Sequence, residues 1–209
     1  MNELKAIVFS AIFTISVVAF TRADEPGTKG FSMDYSVIGS MPEGVDFNDG
    51  RSVALRMADF SAAAAGVLRF GYDLGDMRAD LEIGVRTLDE ENLSGATQGE
   101  GEINIFSALI NGAMDFDPIA GAIPYAAFGI GASLGIGDIT YTDGDGNAGR
   151  ARFVDIAPIG HIGFGARMTL SGDAGLTLGY SFLAGPPGAG GQGALTPTHS
   201  LSLGFEYRF

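Results

Sequence analysis

The last eleven residues, His199 to Phe209, alternate strictly, with Leu201, Leu203, Phe205, Tyr207 and Phe209 on one face and Ser200, Ser202, Gly204, Glu206 and Arg208 on the other. A period of two is the signature of a β-strand, and here one side suits lipid while the other suits a polar interior. The same alternation recurs along the chain and predicts eight strands, near 30–40, 62–74, 77–89, 102–116, 123–139, 152–170, 174–184 and 198–209. The connections differ in length. Residues 73–76, 117–122 and 171–173 are short, whereas 41–61, 90–101, 140–151 and 185–197 are long, the rhythm of an antiparallel barrel with tight turns at one end and loops at the other. The expected fold is therefore all-β, an eight-stranded antiparallel up-and-down transmembrane β-barrel.

Two strands set the orientation of that barrel. In the third, Met77, Ala79, Leu81, Ile83 and Val85 alternate with Arg78, Asp80, Glu82, Gly84 and Arg86, so one face is apolar and the other ionic. In the fifth, Ala126, Phe128, Ile130, Ala132, Leu134 and Ile136 alternate with residues that include Gly129, Gly131, Gly135 and Gly137. Glycine weakens a strand that faces water, but inside a narrow barrel it leaves volume for long side chains opposite. Carrying the alternation to neighbouring strands gives an expected lumen charge network of Arg69, Asp73, Arg78, Asp80, Glu82, Arg86, Asp155, His161, Arg167, Glu206 and Arg208, with Asn111 and Asp115 on the same face. Both signs are present, as a closed interior requires of its charges. The competing arrangement is a soluble barrel turned the other way, with these charges in water.

The other terminus bears on the compartment. Lys5 precedes an apolar run from Ala6 to Phe20, followed by Thr21-Arg22-Ala23 and then the acidic Asp24 and Glu25. This reads as a secretory signal peptide over residues 1–23, with small residues at Thr21 and Ala23 suiting cleavage after Ala23, and a barrel domain over 24–209. The 209 residues fit one domain, and with 33 glycines and no cysteine they describe a β-protein without a disulfide framework. Tryptophan is absent too, so 15 Phe and 6 Tyr must supply any interfacial aromatics. A net charge of -13 argues against a nucleic-acid partner.

Several stretches together resemble the opacity-type, OmpA-like small outer-membrane barrels: FGYDLGDMRADLEIGVR over 70–86, NGAMDF over 111–116, IPYAAFGIG over 123–131, LTLGY over 176–180, and the ending from Gly204 to Phe209. Thr177 and Ser181 depart from that family where it often carries inward charges, and His161 stands where a polar amide is common. The resemblance implies a cell outer membrane location and a structural or surface-antigen role, with long outer loops engaging other cells or maintaining the envelope. It also implies that Gly204, Phe205, Tyr207 and Phe209 form the signal read by barrel-assembly machinery. Outer-membrane lipid and lipopolysaccharide are expected partners. Because the chain stops at Phe209, any structural role is expected from the barrel itself.

Other functions find less support. Eight strands enclose an interior just wide enough for side chains, which disfavours a general porin and leaves a narrow channel for ions or small solutes as the alternative. A lipid-modifying enzyme is the remaining rival, but His199 and Ser200 are sequence neighbours on a strand and point to opposite faces, so they cannot serve each other as base and nucleophile. No cofactor is expected, and no metal. The segment Thr142-Asp-Gly-Asp-Gly-Asn147 begins like a calcium loop, yet Val154 stands where the closing bidentate glutamate belongs.

Overall fold

The computed structural model describes residues 29–42, 45–48, 54–57, 63–90, 93–94, 98–143, 145–185 and 197–209; the signal-peptide segment falls outside them. Eleven strands follow in chain order: β1 (Gly30–Pro42), β2 (Val45–Asn48), β3 (Ala54–Met57), β4 (Ala63–Asp73), β5 (Met77–Glu90), β6 (Leu93–Ser94), β7 (Gln98–Asp115), β8 (Ala122–Thr142), β9 (Ala148–Ser171), β10 (Ala174–Ala184) and β11 (Thr198–Arg208). Eight of them close a barrel in the order β1-β11-β10-β9-β8-β7-β5-β4, every pair antiparallel. These are the eight strands expected from alternation.

The three short strands were not expected. β2, β3 and β6 pair as a small separate sheet within the connections read as loops. Strands of two to four residues are too short for a period of two to register. The barrel strands β7, β8 and β9 also run further toward the loop end than expected, to Gln98, Thr142 and Ala148. Their ends carry Glu100, Glu102, Asp138, Arg150 and Arg152. There the outward face turns polar while Ile103, Ile139 and Tyr141 stay buried inside, so the lipid-facing pattern ends although the backbone ladder continues.

Register fixes the geometry. Pairing traced from Arg86 through Ala65, Ile38, Ser202, Gly179, Gly165, Tyr125 and Asp115 returns to the β5 side at Asp76, a stagger of ten residues. For eight strands this corresponds to a tilt of about 40°. The wall is uneven in height, because β8 and β9 have 21 and 24 residues whereas β4, β10 and β11 have 11 each. At roughly 3.3 Å per residue and that tilt, the β8–β9 hairpin stands on the order of 20 Å beyond the short side at the loop end. The turn end is level. There Leu74 N–H bonds to Met77 O at 2.8 Å and Gly75 adopts a φ of 110°, a conformation glycine permits.

The two faces are sorted as an inverted barrel. Outside, Ile110, Ile130, Val154, Ile156 and Phe128 are between 64% and 73% exposed, whereas inside Asp34, Glu82, Arg86, Arg167 and Glu206 are at most 6% exposed. A soluble barrel with its charges in water is thereby excluded. Such an apolar exterior is stable only against lipid. At the turn end Phe31, Tyr72, Phe116 and Phe209 lie exposed, with Phe31 edge-on to Tyr72 at 5.0 Å and Tyr207 edge-on to Phe209 at 5.2 Å. These rings take the interfacial place that tryptophan often fills.

Candidate functional site

The polar interior is concentrated at the turn end, where cross-strand register brings charges together. Asp34, Arg69 and Glu82 are direct partners on β1, β4 and β5. Arg69 donates Nε to Glu82 Oε2 at 2.8 Å and Nη1 to Asp34 Oδ1 at 2.9 Å. The carboxylates are then completed by neutral donors. Asn111 Nδ2 donates to Glu82 at 3.1 Å, and Ser36 and Thr177 donate to Asp34 at 2.6 and 2.8 Å.

A second cluster forms nearer the turns around Arg167 of β9. Its Nη1 donates to Glu206 Oε1 at 3.1 Å and lies 3.5 Å from Asp73 Oδ2, while its Nη2 donates to Asp115. Arg208 shares Glu206 at 3.0 Å and approaches Asp73 at 3.8 Å. Arg78 reaches Asp115 at 3.8 Å and lies over the Tyr125 ring, 5.4 Å from its centroid. The residual space is small. A cavity of about 50 Å³, lined by Asp34, Arg69, Arg78, Asp80, Tyr125 and Glu206 among others, has room for a few waters.

Of the eleven residues expected to form the network, Arg69 and Glu82 meet in the first cluster, and Asp73, Arg78, Arg167, Glu206 and Arg208 in the second. Asp80 is buried beside them, 8% exposed, and joins no ion pair among the described residues. Arg86 is 4% exposed, and its Nε has no hydrogen-bond partner; Asp155 Oδ2 and His161 Nδ1 are likewise unpaired among the described residues. These last three do not join the ion-pair clusters, because they lie further toward the loop end. In that half the buried inward side chains include the aliphatic Ile38, Ala65, Val67, Ile103, Ile105, Leu109, Ile159 and Leu183, with the hydroxyls of Ser107, Ser133, Thr198 and Ser200 among them. The lumen is thus graded, with the ion pairs below and mainly aliphatic and hydroxyl side chains above. Asp34 was missed by the sequence reading, although Ser32, Asp34 and Ser36 alternating with Phe31, Met33, Tyr35 and Val37 carried the signal.

The remaining candidates are placed as follows. Gly204 faces inward where any β-carbon would meet Ser36 and Thr177 and lie 2.9 Å from Asp34 Oδ2, so the ionic layer itself requires glycine there. Phe205 and Phe209 are exposed on the outer face, and the Phe209 N–H bonds to Phe31 O at 2.9 Å, fastening the chain end to β1. His199 is also on the outer face, its Nδ1 2.6 Å from the Tyr180 hydroxyl, while Ser200 is buried inside. In the 142–147 turn, Asp143 Oδ1 accepts the backbone N–H of Asn147 at 2.8 Å and of Asp145 at 3.0 Å. These bonds, that of Asn147 foremost, hold the Asp143 carboxyl below the usual range. The acidic turn is organised by its own backbone.

Comparison with known proteins places this geometry. No family model matches the chain, and no curated protein matches it. Solved structures that it resembles include the outer membrane protein OprG from Pseudomonas aeruginosa, with 15% identity over 89% of this chain and 99% of that one and a TM-score of 0.56. Others are Neisserial surface protein A, with 15% identity over 87% and 97% and a TM-score of 0.48, and the attachment invasion locus protein Ail of Yersinia pestis, with 12% identity over 88% and 100% and a TM-score of 0.47. At such identities the likeness speaks for fold alone. The chain is a closed eight-stranded antiparallel barrel of the kind that outer-membrane proteins form.

Proposed function

We propose that this is a non-enzymatic outer-membrane barrel that works at its loop end, by contact with other cells or with the envelope, and not by passing solutes. The observation that carries this reading is the occupied lumen: among the described residues paired charges surround a cavity of about 50 Å³, and buried aliphatic and hydroxyl side chains occupy the half above them. An ion crossing it would have to break the Arg167 and Arg69 clusters and then pass the buried side chains above them. The loop end, by contrast, is where the wall rises above its short side and where the long connections lie.

Planar-bilayer recording and a loop variant test the two halves of this proposal. The refolded barrel is expected to give no discrete conductance steps, and steady openings would favour the narrow channel instead. Shortening residues 91–97, which leaves the Glu90 to Gly101 backbone pair intact, is expected to lower cell or matrix binding while the barrel still shifts in mobility on boiling. Undiminished binding by the folded variant would remove that loop from the function.

Chain-end chemistry gives a separate expectation. Phe209→Ala removes an exposed ring and its contact with Tyr207 but keeps the backbone bond to Phe31. If the ending is an assembly signal, folded protein in the outer membrane falls severalfold while refolding in detergent is nearly unchanged. Equal loss in both settings would assign the ring a purely structural part.

A further inference from the structure

β9 is paired on both sides for only half of its length. β10 lies beside it from Ser171 to Gly160, the last pair being Ala184 with Gly160, whereas β8 continues along it to Ala148. Residues 148–159 therefore have a strand on one side and, among the described residues, none on the other. Parity shows which groups this leaves. The Phe116 N–H bonds to Pro124 O, so the even-numbered residues of β8 turn toward β7, and their even-numbered partners on β9 turn away from β8. Arg150, Arg152, Val154 and Ile156 thus present N–H and C=O groups along an open edge, and Pro158 a C=O alone.

The sequence that follows β10 is unsuited to cover this edge. Carrying the β10 register two residues past Ala184 would oppose Pro186 to Pro158, the next pair whose backbones face each other, and neither has an N–H to give. Beyond it come Pro187 and four glycines within residues 188–193, poor material for a strand. Height in the membrane follows from the same pairing. An open edge has no place in hydrocarbon, where nothing bonds to its N–H and C=O groups. The pair of Gly160 and Ala184 therefore marks the upper limit of hydrocarbon on this flank, and the edge stands above it, on the part of the hairpin that overtops the short side.

The side chains beside the edge have a definite order. Val154 and Ile156 are apolar and 71% and 70% exposed, and above them the side chains of Arg150 and Arg152 are 53% and 68% exposed. Asp138 orients both cations, accepting Arg150 Nε at 2.7 Å and Arg152 Nε at 3.1 Å, and these bonds, that of Arg150 foremost, hold its carboxyl down at about 2. Two guanidiniums share one carboxylate, which leaves the edge cationic. A second copy laid along it would gather four guanidiniums against two carboxylates, whereas an acidic strand gains from both arginines. We propose that the free edge of β9 from Arg150 to Ile156 takes an added antiparallel β-strand from a partner protein, an extended segment with apolar residues opposite Ile156 and Val154 and acidic residues opposite Arg152 and Arg150. Main-chain bonds hold such a strand and the alternate side chains select it. The site gives the loop-end contact proposed above a place and a partner class, and rests on that reading.

The test uses the full-length barrel in lipid vesicles and a fluorescent peptide in which threonine alternates with valine, valine, glutamate and glutamate, in that order from its N-terminus, with binding read by anisotropy. A second peptide, N-methylated at the valines and glutamates, keeps every side chain but cannot join the ladder. The native chain is expected to bind the first about tenfold more tightly than the second. Val154→Pro removes one edge N–H and spares the ladder with β8, as Pro158 already does, so it should weaken binding by about tenfold while the barrel keeps its mobility shift on boiling. R150Q/R152Q should weaken it severalfold, and unchanged binding there would overturn the acidic half of the proposal. Equal binding of the two peptides, no binding to the native chain, or undiminished binding by folded Val154→Pro overturns the site. Because the assay uses no cells, such a failure leaves the loop-end reading to the cell-binding test above, whereas failure of the chain to insert into vesicles would overturn the membrane orientation and both readings with it.

Discussion

Arg167→Met is expected to destabilise the folded barrel by about 3–5 kcal/mol, because it strands buried carboxylates that have few other partners. Arg167 is 6% exposed by its side chain, and the three acids around it, Asp73, Asp115 and Glu206, are between 3% and 6% exposed. Methionine conserves much of the volume, so the loss reports charge and hydrogen bonding and little cavity formation. The three acids do not suffer equally. Glu206 keeps Arg208 at 3.0 Å and Asp73 keeps the Gly75 N–H at 2.9 Å and Arg208 at 3.8 Å, whereas Asp115 retains only Arg78, at 3.8 Å, among the described residues. Adding Asp115→Asn to Arg167→Met should therefore recover a substantial part of the loss, since removing both partners of a buried pair costs far less than removing one. The measurement is the unfolding free energy from urea titration in one detergent, with Arg152→Met as an exposed comparison expected to change it by less than about 1 kcal/mol. A loss below about 1 kcal/mol for Arg167→Met would mean that water already satisfies these acids, and the lumen would then have to be redrawn as hydrated and permeable.

The ionic cluster also shows what alternation reveals and what it hides. A period of two assigns Arg167 and Glu206 to the inward face, and does so from local sequence. It does not say that they meet, since they are 39 residues apart and their contact depends on how β9, β10 and β11 are staggered. Height in the barrel is a property of register, and register is set by all eight strands closing together. Arg86 illustrates the limit. It shares a strand and a face with Glu82, yet its register partners are Ala65 and Ile105, in the apolar layer. The sequence reading grouped the two residues by face; the stagger separates them by depth. A second limit appears at the loop end, where β8 and β9 continue past Asp138 and Arg152 with charged residues on a face that is apolar below. There the outward hydrophobic pattern ends before the strand does, while Ile139 and Tyr141 continue it on the inward face.

Gly131→Ala is expected to cost about 1–3 kcal/mol, whereas Gly135→Ala, on the same strand and the same face, should change stability by no more than about 0.5 kcal/mol. The sequence reading assigned these glycines one role, to leave room for long side chains, and the packing divides that role. At Gly131 a β-carbon would overlap the Ala108 carbonyl and lie 2.7 Å from Leu109 Cα, and backbone atoms of a paired strand cannot swing aside. Leu109 and Ile159, the register partners of Gly131, are 1% and 3% exposed and belong with Leu183 to one buried cluster, so displacing β7 disturbs the apolar layer directly. At Gly135 the nearest atoms to such a carbon are the Phe153 ring at 3.9 Å and Asp155 O at 4.0 Å, ordinary contact distances that a methyl group fills without displacement. Alanine there also restricts the unfolded chain more than glycine does, which offsets any small loss. Urea titration of both variants separates the two explanations of a glycine-rich inward face. Unequal losses place the constraint in the close approach of β7 and β8, whereas equal losses would mean that the glycines serve only to thin the lumen and that the apolar layer is looser than its burial indicates.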